Sequence, residues 1–285
     1  MYLEQIDSPA DLKKLPPDAL CALAKEIREL IIDTVSENGG HLGANLGTVE
    51  LTIALHYIFD IPADSLVFDV GHQAYTHKIL TGRREFFRTL RRFGGCAGFP
   101  HPRESKFDAS VAGHAGTAIS TALGISTALG AASNPHKAIA VVGDGSLNCG
   151  ISLEGLNNAH AGGKNLIIIL NDNKMSISRN VGGLARSLNH IISGSFYNRF
   201  KTAAKRLLFS LPRHKTLHKM IRRFEETVKY LILPGGLFEE LGIRYIGPID
   251  GHSIPDLLYH LRHLESQQAG PVLLHVATEK GRGYE

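Results

Sequence analysis

The chain has 285 residues, a net charge of +4 and a hydrophobic content of 43%, which is enough apolar material for a sizeable core. No run approaches the about 18 uninterrupted apolar residues that a membrane span needs, and the N-terminus lacks the apolar stretch of a secretory signal. Cys21, Cys96 and Cys149 are widely spaced, which favours free thiols in a reducing compartment over disulfides or a zinc site. We therefore expect a cytoplasmic protein that does not associate with a membrane.

The first predicted element is an amphipathic helix over residues 17–37, where apolar side chains recur at helical spacing and two glycines follow. Four short apolar runs come later, namely LVFDV at 66–70, AIAVV at 138–142, LIIIL at 166–170 and VLLHVA at 272–277. Each run is continuously apolar, which is typical of strands that are buried on both faces of a parallel sheet. The Ala/Gly/Leu-rich stretch at 115–132 predicts a helix. This alternation indicates a doubly wound α/β fold, with a mainly parallel sheet and helices on both faces.

The segment at about 180–233 interrupts this alternation, since it carries isolated apolar clusters but no strand pattern. We predict a largely helical, mobile insertion there, within a single domain that spans residues 1–285. A basic run at 199–229 falls inside the insertion. The run has little of the aromatic interleaving that base stacking needs and matches no groove-binding motif, so nucleic-acid binding is not expected.

Two of the predicted strands end in polar triplets, GDG at 143–145 and NDN at 171–173. Ligands of an open parallel sheet bind beyond the carboxyl ends of its strands, and glycine lets the backbone approach a ligand closely. Asp144 and Asn173 offer the oxygens that Mg²⁺ prefers, and phosphate oxygens can complete its shell. A helix that begins near Gly150 would point its N-terminal dipole toward the phosphates. Taken alone, the same triplets are also what ordinary polar turns contain.

The GDG and NDN pair resembles the thiamine diphosphate signature of the transketolase superfamily. The surrounding sequence looks like that of the 1-deoxy-D-xylulose 5-phosphate synthases in seven segments, which occur in that family's order. They are GHLGANLGTVELTIALHYIFD, DVGHQAYTHKILTGR, GFPHPRESKFD, GDGSLNCGISLEGLNNA, LNDNKMSIS, LFEELGIRYIGPIDGH and KGRGYE. The resemblance covers nearly the whole chain and implies an enzyme that binds thiamine diphosphate through Mg²⁺.

The resemblance also implies roles for particular residues. Asp144 and Asn173, together with the main-chain oxygen of Met175, match the family's metal ligands. His41 matches a histidine near the substrate and His72 one that faces the reacting end of the cofactor, so these two are the predicted catalytic residues. The positions that match cofactor-binding residues are His72, Gly113, His114, Ala115, Asp144, Gly145, Ser146, Asn173, Lys280 and Tyr284. Without the family, most of the 15 histidines would be interpreted as surface or core residues.

The chain departs from the family's pattern in two ways. Where the family commonly has Gly-His-Ser-Ser-Thr-Ser, this chain has GHAGTA at 113–118, so hydroxyls that could bond the cofactor are missing. Loss of one such hydrogen bond costs about 0.5–1.5 kcal/mol, which predicts weaker binding rather than none. The family's proteins are also much longer, and their pyrimidine-binding and C-terminal domains are expected to be absent here. The missing part carries the glutamate that activates the aminopyrimidine, and Glu154 is predicted to lie at the wrong end of the cofactor to replace it.

By resemblance, the complete reaction converts pyruvate and D-glyceraldehyde 3-phosphate to 1-deoxy-D-xylulose 5-phosphate and CO₂, for isoprenoid, thiamine and pyridoxal synthesis. This chain would hold the diphosphate and Mg²⁺ and would be inactive alone. The expected partner is a second copy of the chain or a separate pyrimidine-domain chain, docked on an apolar face that includes Leu42, Leu46 and the GFP turn at 98–100. Two alternatives stay open. One is the diphosphate-binding subunit of a split transketolase, against which GHQAY and PIDGH argue, and the other is a non-catalytic cofactor-binding remnant.

Overall fold

The computed structural model describes residues 1–111, 113–173, 175, 236–267 and 270–284. The predicted insertion at 180–233 and the basic run at 199–229 therefore lie outside the described residues. Within the described ranges, no helix is both long and apolar enough to cross a membrane. The assignment of the whole chain to one domain stays a prediction.

The core of the fold is one sheet of five parallel strands. In chain order the strands are β1 (Ser65–Phe68), β2 (Ala138–Gly143), β3 (Leu166–Asp172), β4 (Arg244–Asp250) and β5 (Val272–Ala277). Their order across the sheet is β1-β2-β3-β5-β4, and every neighbouring pair is parallel. The four apolar runs are thus confirmed as strands, and β4, within the LFEELGIRYIGPIDGH segment, is the fifth. The pairing of β4 with β5 shifts in register between Ile246 and Ile249, and Pro248 lies at this shift. A proline is tolerated there because β4 is the outermost strand of the described sheet.

Helices surround this sheet. In chain order the described ones are α1 (Pro9–Leu12), α2 (Leu20–Asn38), α3 (Leu42–Leu46), α4 (Val49–Ile58), α5 (Tyr75–Lys78), α6 (Arg84–Phe87), α7 (Ala118–Ala131), α8 (Asp144–Leu147), α9 (Gly150–Gly162), α10 (Gly236–Glu240) and α11 (Ile254–Glu265). The predicted helices at 17–37 and 115–132 are confirmed as α2 and α7, and the helix predicted near Gly150 is α9.

β1, β2, β3 and β5 bury both of their faces, as the continuous apolar runs predicted, whereas β4 is half-buried to exposed along its length. On β2, Ile139 and Val141 pack into a cluster with α2, α4 and α11. The alternate residues Ala138, Ala140 and Val142 pack into a second cluster with α7 and α9. This two-sided burial confirms the doubly wound α/β arrangement and confines the polar groups of β2 and β3 to the strand ends.

Polar side chains that are buried beside the first cluster form a connected chain. His56 Nε2 lies 2.9 Å from His77 Nδ1, and His77 Nε2 lies 2.8 Å from Asp108 Oδ1. Arg83 binds both carboxylate oxygens of Asp108 at 2.8 Å. Burial lowers the pKa of both imidazoles below the ordinary value of 6.5, so both are neutral at pH 7.

These neutral histidines make acid destabilising. Below a pH of about 6.5 the unfolded chain takes up protons on His56 and His77 that the folded chain does not, so stability falls as the pH falls. We expect His56→Gln to flatten this decline by up to about 1.4 kcal/mol per pH unit between about pH 6.5 and pH 5. Urea unfolding across that range measures the slope.

The control for this test is His263→Gln, which changes an exposed histidine on α11. This variant measures how much of any change in the slope comes from replacing a histidine by glutamine outside the core. Equal slopes for His56→Gln and the unmodified chain would contradict the assignment of a neutral buried imidazole at position 56.

Candidate functional site

The two polar triplets lie side by side at the carboxyl edge of the sheet. Gly143 of β2 pairs with Asn171 of β3, so Asp144 and Asn173 continue from adjacent strands. Asp144 is buried at the first residue of α8, and its Oδ1 accepts a hydrogen bond from the Gly145 amide at 2.9 Å. Asn173 Oδ1 accepts from the Met175 amide at 3.0 Å, which closes a tight turn. The predicted metal ligands are thus brought to one edge by the strand register.

The loop that carries Gly113, His114 and Ala115 is held at this same edge by Asp69, which follows β1. Asp69 Oδ1 accepts from the Gly116 amide at 2.9 Å, and its Oδ2 accepts from the Ala118 amide at 3.0 Å. Asp69 is only 1% exposed. Its carboxylate therefore sets the path of the loop into α7, a role that the sequence analysis missed although Asp69 belongs to the DVGHQAY segment.

Ser152 joins this loop to the GDG turn. Its hydroxyl lies 2.7 Å from the Ser146 carbonyl and 3.3 Å from the Gly116 carbonyl. Ser152 is fully buried in the first turn of α9. The predicted cofactor-binding positions at 113–115 and at 145–146 are therefore linked through one side chain.

His41 and His72 come together at one end of the site, with ring centroids 5.4 Å apart. Asn45 fixes both backbones, since its Nδ2 donates to the His41 carbonyl at 2.6 Å and to the His72 carbonyl at 2.7 Å. Its Oδ1 accepts from the Tyr75 amide at 2.9 Å. Asn45 is fully buried, and it is the side chain that makes the two predicted catalytic residues neighbours.

Both imidazoles are neutral at pH 7. Burial lowers the pKa of His72 to about 4, with the cationic side chain of Lys280 and the ring of His41 contributing less. Burial also lowers the pKa of His41, with Arg91 contributing less. Nδ1 of each ring is buried and has no hydrogen-bond partner among the described residues. Two buried polar atoms without partners are unusual in a folded protein and mark a position where a ligand can bond.

Lys280 reaches this end of the site because two glycines, Gly43 within α3 and Gly47 directly after it, let the segment of Lys280 lie close to the α3 backbone. The Gly281 amide donates to the Gly43 carbonyl at 2.8 Å. A Cβ on Gly43 would lie 3.3 Å from Lys280 Cγ, and one on Gly47 would lie 2.8 Å from the Glu279 carbonyl oxygen. Tyr284 lies further along the same segment and is exposed.

A buried ion pair holds this C-terminal segment in place. Arg28 of α2 donates to Glu50 at 2.6 Å and to the Arg282 carbonyl at 3.0 Å. His252 lies between Glu50 and the segment, with Nδ1 3.2 Å from Glu50 Oε2 and Nε2 accepting from the Glu279 amide at 2.9 Å. Although burial alone raises the pKa of Glu50, the bonds from His252 and Arg28 lower it to about 2. Glu50 is therefore ionised at neutral pH.

The GFPHPRESKFD segment lies over His41, with the rings of Phe99 and His41 5.9 Å apart. Glu104 accepts from the Ala97 amide at 2.7 Å and Asp108 from the His101 amide at 2.8 Å, and Arg83 binds both carboxylates. The segment is thus fixed by Arg83, which also binds the Asp108 carboxylate that contacts the buried His77.

The predicted apolar docking face is wrong in part. Leu46 is fully buried because α3 packs this side chain against α2 and the core. Pro100 is also buried. Leu42 and Phe99 are half-buried and stay candidates for such a face.

The GHAGTA departure has a steric counterpart in Cys149. Gly116 has φ +89, and a Cβ there would lie 2.8 Å from Cys149 Cβ. We expect Gly116→Ala to lower the free energy of unfolding by about 1–3 kcal/mol, from backbone strain and from this contact. Adding Cys149→Gly should recover the part that comes from the contact. Urea unfolding of both variants measures the difference.

Gly113→Ala is the matched control, because Gly113 also has a positive φ, +143, but nothing lies within 4 Å of an added Cβ. Cys149→Gly should not improve the stability of Gly113→Ala. Failure of Cys149→Gly to recover any stability of Gly116→Ala would contradict the steric explanation.

The chain is similar to known proteins in sequence and in fold. A model of the 1-deoxy-D-xylulose-5-phosphate synthase family matches residues 3–278. The synthase of Anaeromyxobacter dehalogenans (strain 2CP-C) is 51% identical over 282 residues, which are 99% of this chain and 44% of that protein. The synthase of Alkalilimnicola ehrlichii is 49% identical over 282 residues, again 99% of this chain and 44% of that protein.

Solved transketolases share the fold. The enzyme of Campylobacter jejuni matches with a TM-score of 0.68 and 22% identity, covering 94% of this chain and 39% of that chain. The enzyme of Leishmania mexicana matches with a TM-score of 0.65 and 19% identity, covering 93% of this chain and 37% of that chain. The chain spans less than half the length of the curated synthases that it matches. With nearly all of its residues matched by the family model and half of them identical in these synthases, the chain belongs to the 1-deoxy-D-xylulose-5-phosphate synthase family, in its N-terminal part.

Proposed function

We propose that this chain is the part of a 1-deoxy-D-xylulose-5-phosphate synthase that binds the diphosphate of thiamine diphosphate through Mg²⁺. The full protein would act on pyruvate and D-glyceraldehyde 3-phosphate. The observation that supports this most strongly is the convergence of GDG, NDN and the His41–His72 pair on one edge of the sheet. The family membership supports the same reaction.

The donor set suits Mg²⁺. Asp144 offers a carboxylate, Asn173 an amide oxygen and Met175 a main-chain oxygen, and phosphate and water oxygens would complete an octahedral shell. Zinc favours Cys and His ligands instead, and the described ranges contain no group of three His, Cys, Asp or Glu side chains that could hold a metal. The residues present therefore fit a hard cation that shares its shell with a diphosphate.

The neighbouring backbone suits the diphosphate. Added Cβ atoms on Gly113 and Gly143 would meet nothing within 4 Å, so both glycines border open space. The loop at 113–115 would offer backbone N–H groups to the diphosphate, and α9 begins at Gly150 after the GDG turn. Gly113, His114, Ala115, Gly145 and Ser146 are the residues that we assign to the diphosphate.

The other end of the site suits proton transfer. Thiamine diphosphate supplies, when bound, the nucleophilic carbon and the electron sink that decarboxylation of a 2-oxo acid needs. His41 and His72 are neutral at pH 7 and carry buried Nδ1 atoms without partners in the described part of the chain, so each can hold or accept a proton there. Lys280 adds a positive charge beside them, which favours an anionic substrate. Tyr284 completes the assigned cofactor residues on that segment.

The pyrimidine half of the site belongs, by this proposal, to a separate polypeptide region. The activating glutamate is expected there, so catalysis needs that region, supplied by a second chain or by the assembled oligomer.

We also propose a cytoplasmic location, which the free thiols of Cys21, Cys96 and Cys149 support. The split-transketolase alternative is disfavoured, because the synthases are about half identical to this chain and the transketolases only about a fifth. An intact downstream reading frame for the pyrimidine domain would favour a split enzyme over a remnant.

The first test of this proposal is metal-coupled binding. We expect thiamine diphosphate to bind at least about tenfold more tightly in Mg²⁺ than in chelator, because Asp144 and Asn173 would hold the metal and the metal would supply the positive charge that the diphosphate needs. Asp144→Ala should abolish this difference. Calorimetry with and without Mg²⁺ measures both affinities.

Glu154→Ala is the control, since it removes an exposed carboxylate from α9, beside the GDG turn, without touching the assigned ligands. It should keep the full Mg²⁺ dependence. Equal cofactor affinity of the unmodified chain in chelator and in Mg²⁺ would overturn the proposal.

The second test concerns activity. The chain alone should release no CO₂ from pyruvate above background, because the aminopyrimidine has no activating glutamate. Adding a fragment that contains the pyrimidine domain of a synthase should restore measurable activity. His72→Ala should then reduce that activity by about 10²- to 10⁴-fold, the contribution expected of a general acid or base.

Turnover by the chain alone would refute the need for a second region and would point to another acid within these residues. No rescue by the fragment, together with intact cofactor binding, would favour the non-catalytic remnant. His263→Ala, on an exposed position of α11, should leave the rescued activity unchanged.

A further inference from the structure

Three side chains on adjacent strands form a hydrogen-bonded chain behind the NDN turn. Asp172 Oδ2 lies 3.0 Å from His275 Nε2, and His275 Nδ1 lies 2.7 Å from the Tyr245 hydroxyl. Asp172 ends β3, His275 lies on β5 and Tyr245 lies on β4. His275 is fully buried and Asp172 is 3% exposed. This hydrogen-bonded chain of side chains therefore runs across the sheet from the predicted metal site to the outermost strand, β4.

The strand register explains why these residues meet. His275 pairs with Leu170 and Tyr245 with Leu273, so each polar residue lies diagonally across from the next one, on the same face of the sheet. The ring of Tyr245 stacks on Phe238 at 5.9 Å between centroids, which holds the hydroxyl in position. Each link of the chain is thus fixed by an element of the fold.

The direction of each hydrogen bond follows from chemistry. A carboxylate oxygen accepts hydrogen bonds, so His275 Nε2 donates to Asp172 Oδ2 and Nδ1 is the acceptor. Burial raises the pKa of Tyr245, so the hydroxyl stays protonated and donates to Nδ1. A single histidine tautomer satisfies both bonds.

A second set of bonds fixes the same turn from β5. The Thr278 hydroxyl donates to Asn171 Oδ1 at 2.6 Å, and the Thr278 amide donates to the Asp172 carbonyl at 2.9 Å. Both bonds join the residues that immediately precede Asn173. The turn is therefore held through its backbone as well as through the Asp172 side chain.

Resting on the proposed function, we propose that Tyr245, His275 and Asp172 are positioning residues for the magnesium site. The hydrogen-bonded chain orients the Asp172 carboxylate and, with it, the backbone that presents Asn173 and Met175. Residues that support metal ligands in this way commonly change metal affinity by about 10- to 100-fold when they are replaced. A group that served stability alone would change folding and leave the response to Mg²⁺ unaltered.

The test measures thiamine diphosphate binding by calorimetry across a series of MgCl₂ concentrations. Tyr245→Phe removes one hydroxyl and keeps the ring, so we expect the Mg²⁺ concentration for half-maximal coupling to rise about three- to tenfold. His275→Gln should raise it further, by about 10- to 100-fold. Cofactor affinity at saturating Mg²⁺ should return to that of the unmodified chain, since the metal ligands themselves are retained.

The matched control is Tyr259→Phe, which removes a hydroxyl from a tyrosine that is 72% exposed on α11. It should not alter the Mg²⁺ response. A spectroscopic readout accompanies the binding test, because ¹⁵N chemical shifts of labelled histidine report which ring nitrogen of His275 carries the proton. We expect a protonated Nε2 and an unprotonated Nδ1.

The outcomes separate the two proposals. If the unmodified chain shows no Mg²⁺-dependent cofactor binding, the proposed function fails and the positioning assignment fails with it. If the unmodified chain binds normally but Tyr245→Phe and His275→Gln respond to Mg²⁺ as Tyr259→Phe does, the positioning assignment alone is overturned. A protonated Nδ1 on His275 would also overturn it, because the Tyr245 bond could not then run as described.

Discussion

Two-sided burial of the parallel sheet is the constraint on which the rest of the structure depends. Because both faces of β2 and β3 pack against helices, their interiors accept only apolar side chains, and polar groups are confined to the strand ends. Parallel pairing then places all carboxyl ends at one edge. Asp144 and Asn173 lie together for this reason. The site is thus a consequence of strand direction and register.

The same constraint explains the cost of the polar groups that do enter the sheet. A buried polar atom without a partner destabilises a protein by about 1–3 kcal/mol, so His275 on β5 must find partners on both sides. It does so in Asp172 and Tyr245, each two residues away in register on the adjacent strand. The outermost strand β4 is thereby connected to the NDN turn at the end of β3.

Close backbone approach brings distant segments to the His41–His72 pair. Gly43 and Gly47 leave room for the segment at 279–281, and the Arg28–Glu50 pair with His252 holds that segment against α3. Buried ion pairs contribute little net stability, since desolvation offsets most of the attraction, so their value here lies in fixing a position. The Arg83, Glu104 and Asp108 group acts similarly on the segment above His41. The two histidines are therefore surrounded by groups that are ordered from several directions.

The sequence by itself determined β1, β2, β3 and β5, together with α2, α7 and α9, because continuous apolar runs and helical periodicity record burial directly. It also determined the family and the position of Asp144 and Asn173 at strand ends, since both depend on motifs that are local in the chain. Only the tertiary structure revealed Asn45, Asp69, Ser152 and the Tyr245–His275–Asp172 chain, and only it showed that Leu46 is buried rather than exposed. Each of these depends on a contact between segments far apart in sequence, or on which side of a short helix faces the core. The sequence alone does not give these contacts, because strand register and helix packing in the folded protein decide which distant residues lie within bonding distance.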